Sequence, residues 1–263
     1  MNGSKEIAEK LEGKIIEFVS QEDISNPLSH LIALFPPQAF LLIIGGALRN
    51  FIIKYFYEDA PPTIDIDIII GGLGANFPMG KTLRSEKFKN TDFGGVRWYP
   101  KKSSFSFDLS LLDNFLPIRK FHLEPDRTQL LATIDFDVNA LMLDVKQHRF
   151  HEKGAITAIR KKTIGFNSDK IYDKGFLAYR LLLIRHKIGF YPSRDAFKFL
   201  RFAVDLDMLI SIKKTLESRF GKHFSKIVLA EYDRICRYKN YEDYKRHERP
   251  SEYLLHSDID ANP

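Results

Sequence analysis

The chain has 263 residues, of which 44% are hydrophobic and 28% charged, an ordinary globular composition able to hold one large or two modest domains. Its formal net charge of +6 permits an acidic polymer as partner, while the single cysteine, Cys236, excludes an internal disulfide and leaves no Cys/His cluster for zinc. No apolar run approaches bilayer-spanning length, and Lys5, Glu6, Glu9 and Lys10 do not read as a signal peptide, so the protein is expected to be soluble, without a membrane, in the reducing cytoplasm.

Ile7, Leu11, Ile15 and Val19 recur at helical spacing and predict an amphipathic helix over 5–21. Asn26-Pro27 predicts a capped start to a short helix running to about residue 35, which Pro36-Pro37 ends. An apolar strand over 40–44 follows and stops at Gly45-Gly46, and a helical pattern covers 48–57. After Pro61-Pro62 a second apolar run is interrupted by Asp65 and Asp67. Carboxylates two residues apart on a strand point to the same face, and so close a pair calls for a cation such as Mg²⁺. Gly45-Gly46 ahead of a helix offers backbone N–H groups to a phosphate. Read singly, the glycines are also a plain tight turn and the Asp-x-Asp also a solvated strand edge.

Taken in order, strand, Gly-Gly-x-x-Arg, helix and Asp-x-Asp on a strand resemble the nucleotidyltransferase head of the polymerase beta superfamily. The branch most similar holds class II CCA-adding enzymes and bacterial poly(A) polymerases. Asn50 departs from that pattern, which has Asp after the arginine. The resemblance spans roughly residues 38–205 and implies an α+β fold: a nucleotidyltransferase head with a small mixed sheet and flanking helices over 1–167, then an all-helical neck and C-terminal part over 168–263. It also implies that Gly45, Gly46 and Arg49 face a triphosphate.

Further along, the glycine-rich segment 71–76, followed by Lys81, Arg84, Lys87 and Lys89, reads either as a solvated connection or as a mobile phosphate- or RNA-contacting loop. Residues 94–99 and 105–112 read as a hairpin around Lys101 to Ser104. Phe107, Leu109 and Leu111 share one face of its second strand, which leaves Asp108 on the other. Asp108 is either solvent-facing or, as the resemblance implies, a third carboxylate of the metal site. The stretch 133–141 is similar to the family's Arg-Arg-Asp-Phe-Thr-Ile-Asn-Ala segment through Asp135, Phe136, Asn139 and Ala140. That match implies nucleotide contacts for Asp135 and Asn139. Thr133 and Ile134 replace both arginines, leaving Arg127 or Arg160 as the substitutes for the missing charge. Residues 141–150 read as a strand pair, and 154–166 resembles the closing helix and strand of the head.

Beyond Ser168 the pattern is helical, with Gly189 as a C-cap, a helix opening at Pro192-Ser193, and two more over about 208–219 and 223–238. The segment 177–190 resembles the family's neck helix. Counting back from Gly189 gives Arg180 a nucleotide-binding role but sets Lys174 and Leu177 on the Asp and Arg that read the base. A Lys and a Leu cannot imitate a Watson–Crick edge. Residues 237–249 interleave five Lys or Arg with Tyr238, Tyr241 and Tyr244, either a single-strand-binding surface or a solvated helix end offset by Glu242, Asp243 and Glu248. The terminus 257–263 is expected to be disordered.

The resulting expectation is a metal-dependent nucleotidyltransferase that moves NMP from a nucleoside triphosphate, ATP among them, to an RNA 3′ end and releases pyrophosphate. A tRNA-like acceptor is favoured. Two Mg²⁺ ions, with Mn²⁺ as a substitute, would sit on Asp65 and Asp67, with Asp108 as third ligand or base, activating the attacking hydroxyl and the leaving group. Arg180, Arg185, Lys187, Lys239, Lys245 and Arg246 are the candidate RNA contacts. The competing readings are a nucleotidyltransferase that modifies a protein or small molecule, and a binding protein on a catalytically eroded head.

Overall fold

The computed structural model describes residues 2–57, 60–91 and 94–248, with side chains from residue 9 onward. The sequence 257–263 and Arg249 lie outside the described residues, as does the side chain of Ile7. The chain runs α1 (Asn2–Val19), α2 (Glu22–Leu34), β1 (Phe40–Ile44), α3 (Gly46–Tyr57), β2 (Asp65–Gly71), α4 (Met79–Thr82), β3 (Phe88–Asn90), β4 (Val96–Trp98) and β5 (Ser106–Leu111). It continues through α5 (Leu116–Lys120), α6 (Arg127–Thr133), β6 (Leu141–Asp144), β7 (Arg149–Glu152), α7 (Ala155–Arg160) and β8 (Thr163–Ile164). The remainder is α8 (Lys174–Ile188), β9 (Tyr191–Pro192), α9 (Arg194–Phe202), α10 (Leu206–Arg237) and α11 (Tyr241–His247). No helix among the described residues is long and apolar enough to cross a membrane.

The fold is α+β. Seven strands form one mixed sheet in the order β3-β4-β5-β2-β1-β6-β7, in which only β2 and β5 run parallel. Period-two alternation splits the sheet into two unequal faces. Leu41 and Ile43 of β1, and Ile66, Ile68 and Ile70 of β2, point into the large core shared with α1, α2, α3 and α7. Leu42, Ile69 and Met142 face the other way into a small cluster with Leu112, Ile118 and Leu130, covered by α5 and α6. Asp65 and Asp67 share the parity of Ile69, so they lie on this thinly covered face, where the cover stops short and leaves a cavity. At the far end of β2 the chain turns through Gly72, whose φ of +77° and close approach, an added Cβ lying 2.3 Å from the Gln38 carbonyl oxygen, leave room for glycine alone.

Some sequence expectations shift. The second helix begins at Glu22 instead of at Asn26-Pro27, so Pro27 lies inside it. A proline there orphans the carbonyl four residues back. That carbonyl, on Asp23, accepts the Ser103 hydroxyl at 2.7 Å, and the Asp23 carboxylate takes the Ser104 N–H at 2.9 Å. In the glycine-rich segment 71–76 Leu73 is buried while Gly72, Gly74, Ala75 and Asn76 are exposed, and Met79 and Leu83 beyond it are buried. The region beyond Ser168 is not wholly helical: β9 pairs with β8 in parallel and ties α8 and α9 back to the sheet side. α10 breaks at Gly221, φ 85°, into two stretches, as the two expected helices require.

Candidate active site

The site assembles at the end of β1 and the start of β2. Gly45 adopts φ +66°, a left-handed conformation that glycine takes without steric cost, and Gly46 opens α3. A Cβ on Gly45 would stand 3.8 Å from the Asp67 carboxylate, so the turn and that carboxylate are neighbours. The first N–H groups of α3 therefore face the same space as a carboxylate pair, a helix N-terminus beside a candidate cation site.

Strand register puts three carboxylates together. Asp67 of β2 pairs with Asp108 of β5, and Asp65 lies two residues along on the same face. Asp67 is half-buried. Desolvation, with Asp65 and Asp108 adding to it, pushes its carboxyl up to about 7. Such a cluster is short of positive charge, and two adjacent carboxylates beside a phosphate-suited turn fit Mg²⁺, which keeps waters and substrate oxygens as its other ligands. The third carboxylate is committed elsewhere. Arg97 of β4, the antiparallel partner of Asp108, donates from Nε to Asp108 Oδ1 at 2.7 Å and from Nη2 to Oδ2 at 2.6 Å. Its Nη2 is also 3.8 Å from Asp65 Oδ2. The hydrogen bond to Asp108 holds the Arg97 guanidinium above its ordinary pKa. Among the described residues no group of three or more His, Cys, Asp or Glu is arranged to hold a metal ion. Asp65 and Asp67 thus fit the ion, whereas Asp108, expected as a third ligand, holds an arginine.

Arg49 also departs from expectation. It is 6% exposed and lies beneath the Gly45-Gly46 turn instead of on the cavity wall. Nη1 donates to Asn139 Oδ1 at 2.7 Å, and Nε and Nη2 donate to Asn50 Oδ1 at 3.1 and 2.9 Å. Burial pulls the guanidinium down to about 10 against the opposing charges of Asp67 and Asp65. With Asn50 in place of an acid, both hydrogen-bonding side chains are neutral amides, and Arg49 serves to hold Asn139 at the cavity edge.

The cavity itself measures about 610 Å³. Gly45, Gly46, Asp67, Asp108, Asp135, Asn139 and Arg180 all line it, so seven of the residues singled out from sequence converge on one space. Arg180 of α8 donates to the Asp135 carboxylate, a pair joining the helical half to the sheet half. Burial alone would lower the Arg180 pKa, but the Asp135 charge and hydrogen bond outweigh it and hold it above the ordinary value. Phe115, Leu116, Ile171, Tyr172, Phe176 and Leu177 supply an apolar wall suited to a flat ring. Arg119 and Lys170, which the sequence did not single out, bring positive charge to the rim. Neither suggested substitute for the missing arginines does so. Arg127 pairs with the buried Asp144 and stacks on Phe40, and Arg160 lies by Phe56, both away from the cavity.

The two positions set against the family's base-reading pair separate in the structure. Leu177 is on the wall as expected, but Lys174 is exposed and off it, and Asp173 lines the cavity while capping α8 through the Phe176 N–H at 2.9 Å. The proposed RNA cations also separate. Arg185 is 7% exposed and paired with Glu231, so it offers no surface to a phosphate backbone. Arg180 is spoken for inside the cavity. Lys187, Lys239, Lys245 and Arg246 are exposed. Tyr244 is fully buried and Tyr241 packs on Phe197, so the rings of that stretch face inward, as in the solvated-helix reading.

No family model matches the chain, and no curated protein does. Solved structures do. A CCA-adding enzyme in complex with CTP superposes with a TM-score of 0.55 at 15% identity, covering 86% of this chain and 54% of that one. A CCA-adding enzyme with ATP gives 0.54 at 15% identity, over 82% and 54%. A tRNA nucleotidyltransferase complexed with a primer tRNA and an incoming ATP analog gives 0.50 at 16%, over 75% and 57%. The chain therefore carries the nucleotidyltransferase fold seen in CCA-adding enzymes, and it spans a little over half the length of these proteins.

Proposed function

We propose that this chain, built on the fold of CCA-adding enzymes, is a metal-dependent nucleotidyltransferase that moves a nucleoside monophosphate from a triphosphate to an RNA 3′ end. The observation that carries the reading is the Asp65–Asp67 pair on one face of β2, of which Asp67 lines the cavity beside the Gly45-Gly46 turn and Asp65 lies two residues along the strand, off the cavity lining. A divalent cation on that pair would lower the pKa of the attacking hydroxyl and neutralise phosphate charge. The chain's own contribution is placement. The N–H groups opening α3 receive the phosphates, Asn139 is held at the cavity edge by Arg49, and the Asp135–Arg180 pair clamps the sheet against α8. The base rests on the apolar wall, where Leu177 donates no hydrogen bond to a base edge, so discrimination is proposed to differ from ordered C, C, A addition. In the transfer, the 3′-oxygen forms a bond to the α-phosphorus as the bond to the pyrophosphate oxygen breaks.

RNA as acceptor is supported by the +6 charge and by exposed Lys187, Lys239, Lys245 and Arg246. A protein or small-molecule acceptor is the second reading, favoured by the burial of Arg185 and Tyr244, which thins the basic, aromatic surface. Incubation with each labelled triphosphate, Mg²⁺ and total RNA separates them: label in RNA supports the first, label confined to protein or small molecules the second.

A further inference from the structure

Arg97 brings a fixed positive charge to the carboxylate cluster. β4, β5 and β2 are adjacent, and register sets Arg97, Asp108 and Asp67 in a row across them, with Asp65 one step along the same face. The guanidinium grips both oxygens of Asp108 and reaches toward Asp65 at 3.8 Å. A forked arginine–carboxylate pair is rigid and directional, unlike a lysine contact. A cation bridging Asp108 to the pair on β2 would have to lie against this guanidinium, and like charges that close repel. Asp108 is taken up by two hydrogen bonds from Arg97, whereas the same guanidinium only approaches Asp65, at 3.8 Å, and is not paired with Asp67, so the negative charge left for a metal lies on the Asp65–Asp67 pair.

We propose that Arg97 takes the place of one of two metal ions, so that the site holds a single divalent cation, on Asp65 and Asp67, with Arg97 as the fixed second cation. This rests on the metal reading of the Asp65–Asp67 pair. Arg97 is then a positioning residue, since it touches Asp108 and Asp65 and does not line the cavity. Its arrangement also makes Asp108 the anchor of that arginine instead of a ligand.

Titration of the purified protein with Mn²⁺ alone, with free ion counted by electron paramagnetic resonance, tests this without any turnover. Wild type is expected to bind one ion per chain, Asp67→Asn none, and Arg97→Gln two, while Arg97→Lys, which keeps the charge, stays at one. Asp108→Asn is expected to keep its one ion. Two ions in wild type, one ion in Arg97→Gln, or loss of the ion in Asp108→Asn would overturn the inference while leaving the Asp65–Asp67 site standing. Wild type that binds none would remove the metal reading itself, and the inference with it. Thermal melts of each variant identify any that fail to fold, and if Arg97→Gln does not fold, two ions in wild type, loss of the ion in Asp108→Asn or two ions in Arg97→Lys still overturn the inference.

Discussion

Asp67→Asn should stabilise the metal-free protein, because the wild-type carboxylate is held in a place unfavourable to its charge. Desolvation, Asp65 and Asp108 raise its pKa from 3.8 to about 7, roughly three units. At about 1.4 kcal/mol per unit the ceiling is about 4 kcal/mol, and solvent screening of this half-buried group brings the expectation to about 2 kcal/mol. The sign follows from linkage. A raised folded pKa gives stability that is fully present below the unfolded value and lost as the pH climbs through about 7. In chelator at about pH 8 the variant should therefore outlast wild type by about 2 kcal/mol in urea, and near pH 5 the gain should fall below half of that. Trp98, 1% exposed and beside Asp108's strand partner Arg97, provides a fluorescence probe of unfolding. Added Mg²⁺ should stabilise wild type and leave the variant unchanged. A variant less stable than wild type at pH 8, or a gain identical at both pH values, would refute the charge argument.

Arg180→Ala should raise the KM for triphosphate and lower stability by about 1–3 kcal/mol, since it leaves the part-buried Asp135 carboxylate unpaired; steady-state kinetics and a melt check both. Gly72→Ala should destabilise by more than about 2 kcal/mol, combining a left-handed backbone with a Cβ 2.3 Å from the Gln38 carbonyl, which thermal denaturation would read. If RNA is the acceptor, replacing Lys239, Lys245 and Arg246 by alanine should weaken its binding and flatten the salt dependence by about one unit for each phosphate no longer neutralised, with nucleotide affinity unchanged, as filter binding over a salt series would show.

Much of the sheet and of the site was legible in the sequence because it is written in local signals. The run 40–44, the Gly-Gly break and the Asp-x-Asp alternation each report their own neighbours, and their order reports the fold. What the sequence hid depends on partners far along the chain. Arg97 is an unremarked cation in a short strand until β4 lies against β5 and sets it opposite Asp108, although the hairpin alternation already put both residues on one side. Pro27 reads as a helix start, and only the Ser103 hydroxyl, 80 residues from Asp23, lets a helix run through it. Arg49 looks like a phosphate contact by motif, yet Asn50 in place of an acid leaves a guanidinium that turns inward to two amides. The placement of Asp173 in the cavity follows from its capping of α8, a geometry that the residue types alone do not report.

Transfer itself tests the central claim. With an α-labelled triphosphate, Mg²⁺ and RNA bearing a free 3′-hydroxyl, the account predicts label covalently joined to the RNA end and one pyrophosphate released per addition. Asp65→Ala and Asp67→Ala should each lower the rate by at least ~100-fold while still unfolding in a single cooperative melt. Full turnover by both variants, or no labelled product of any kind with wild type, would contradict it.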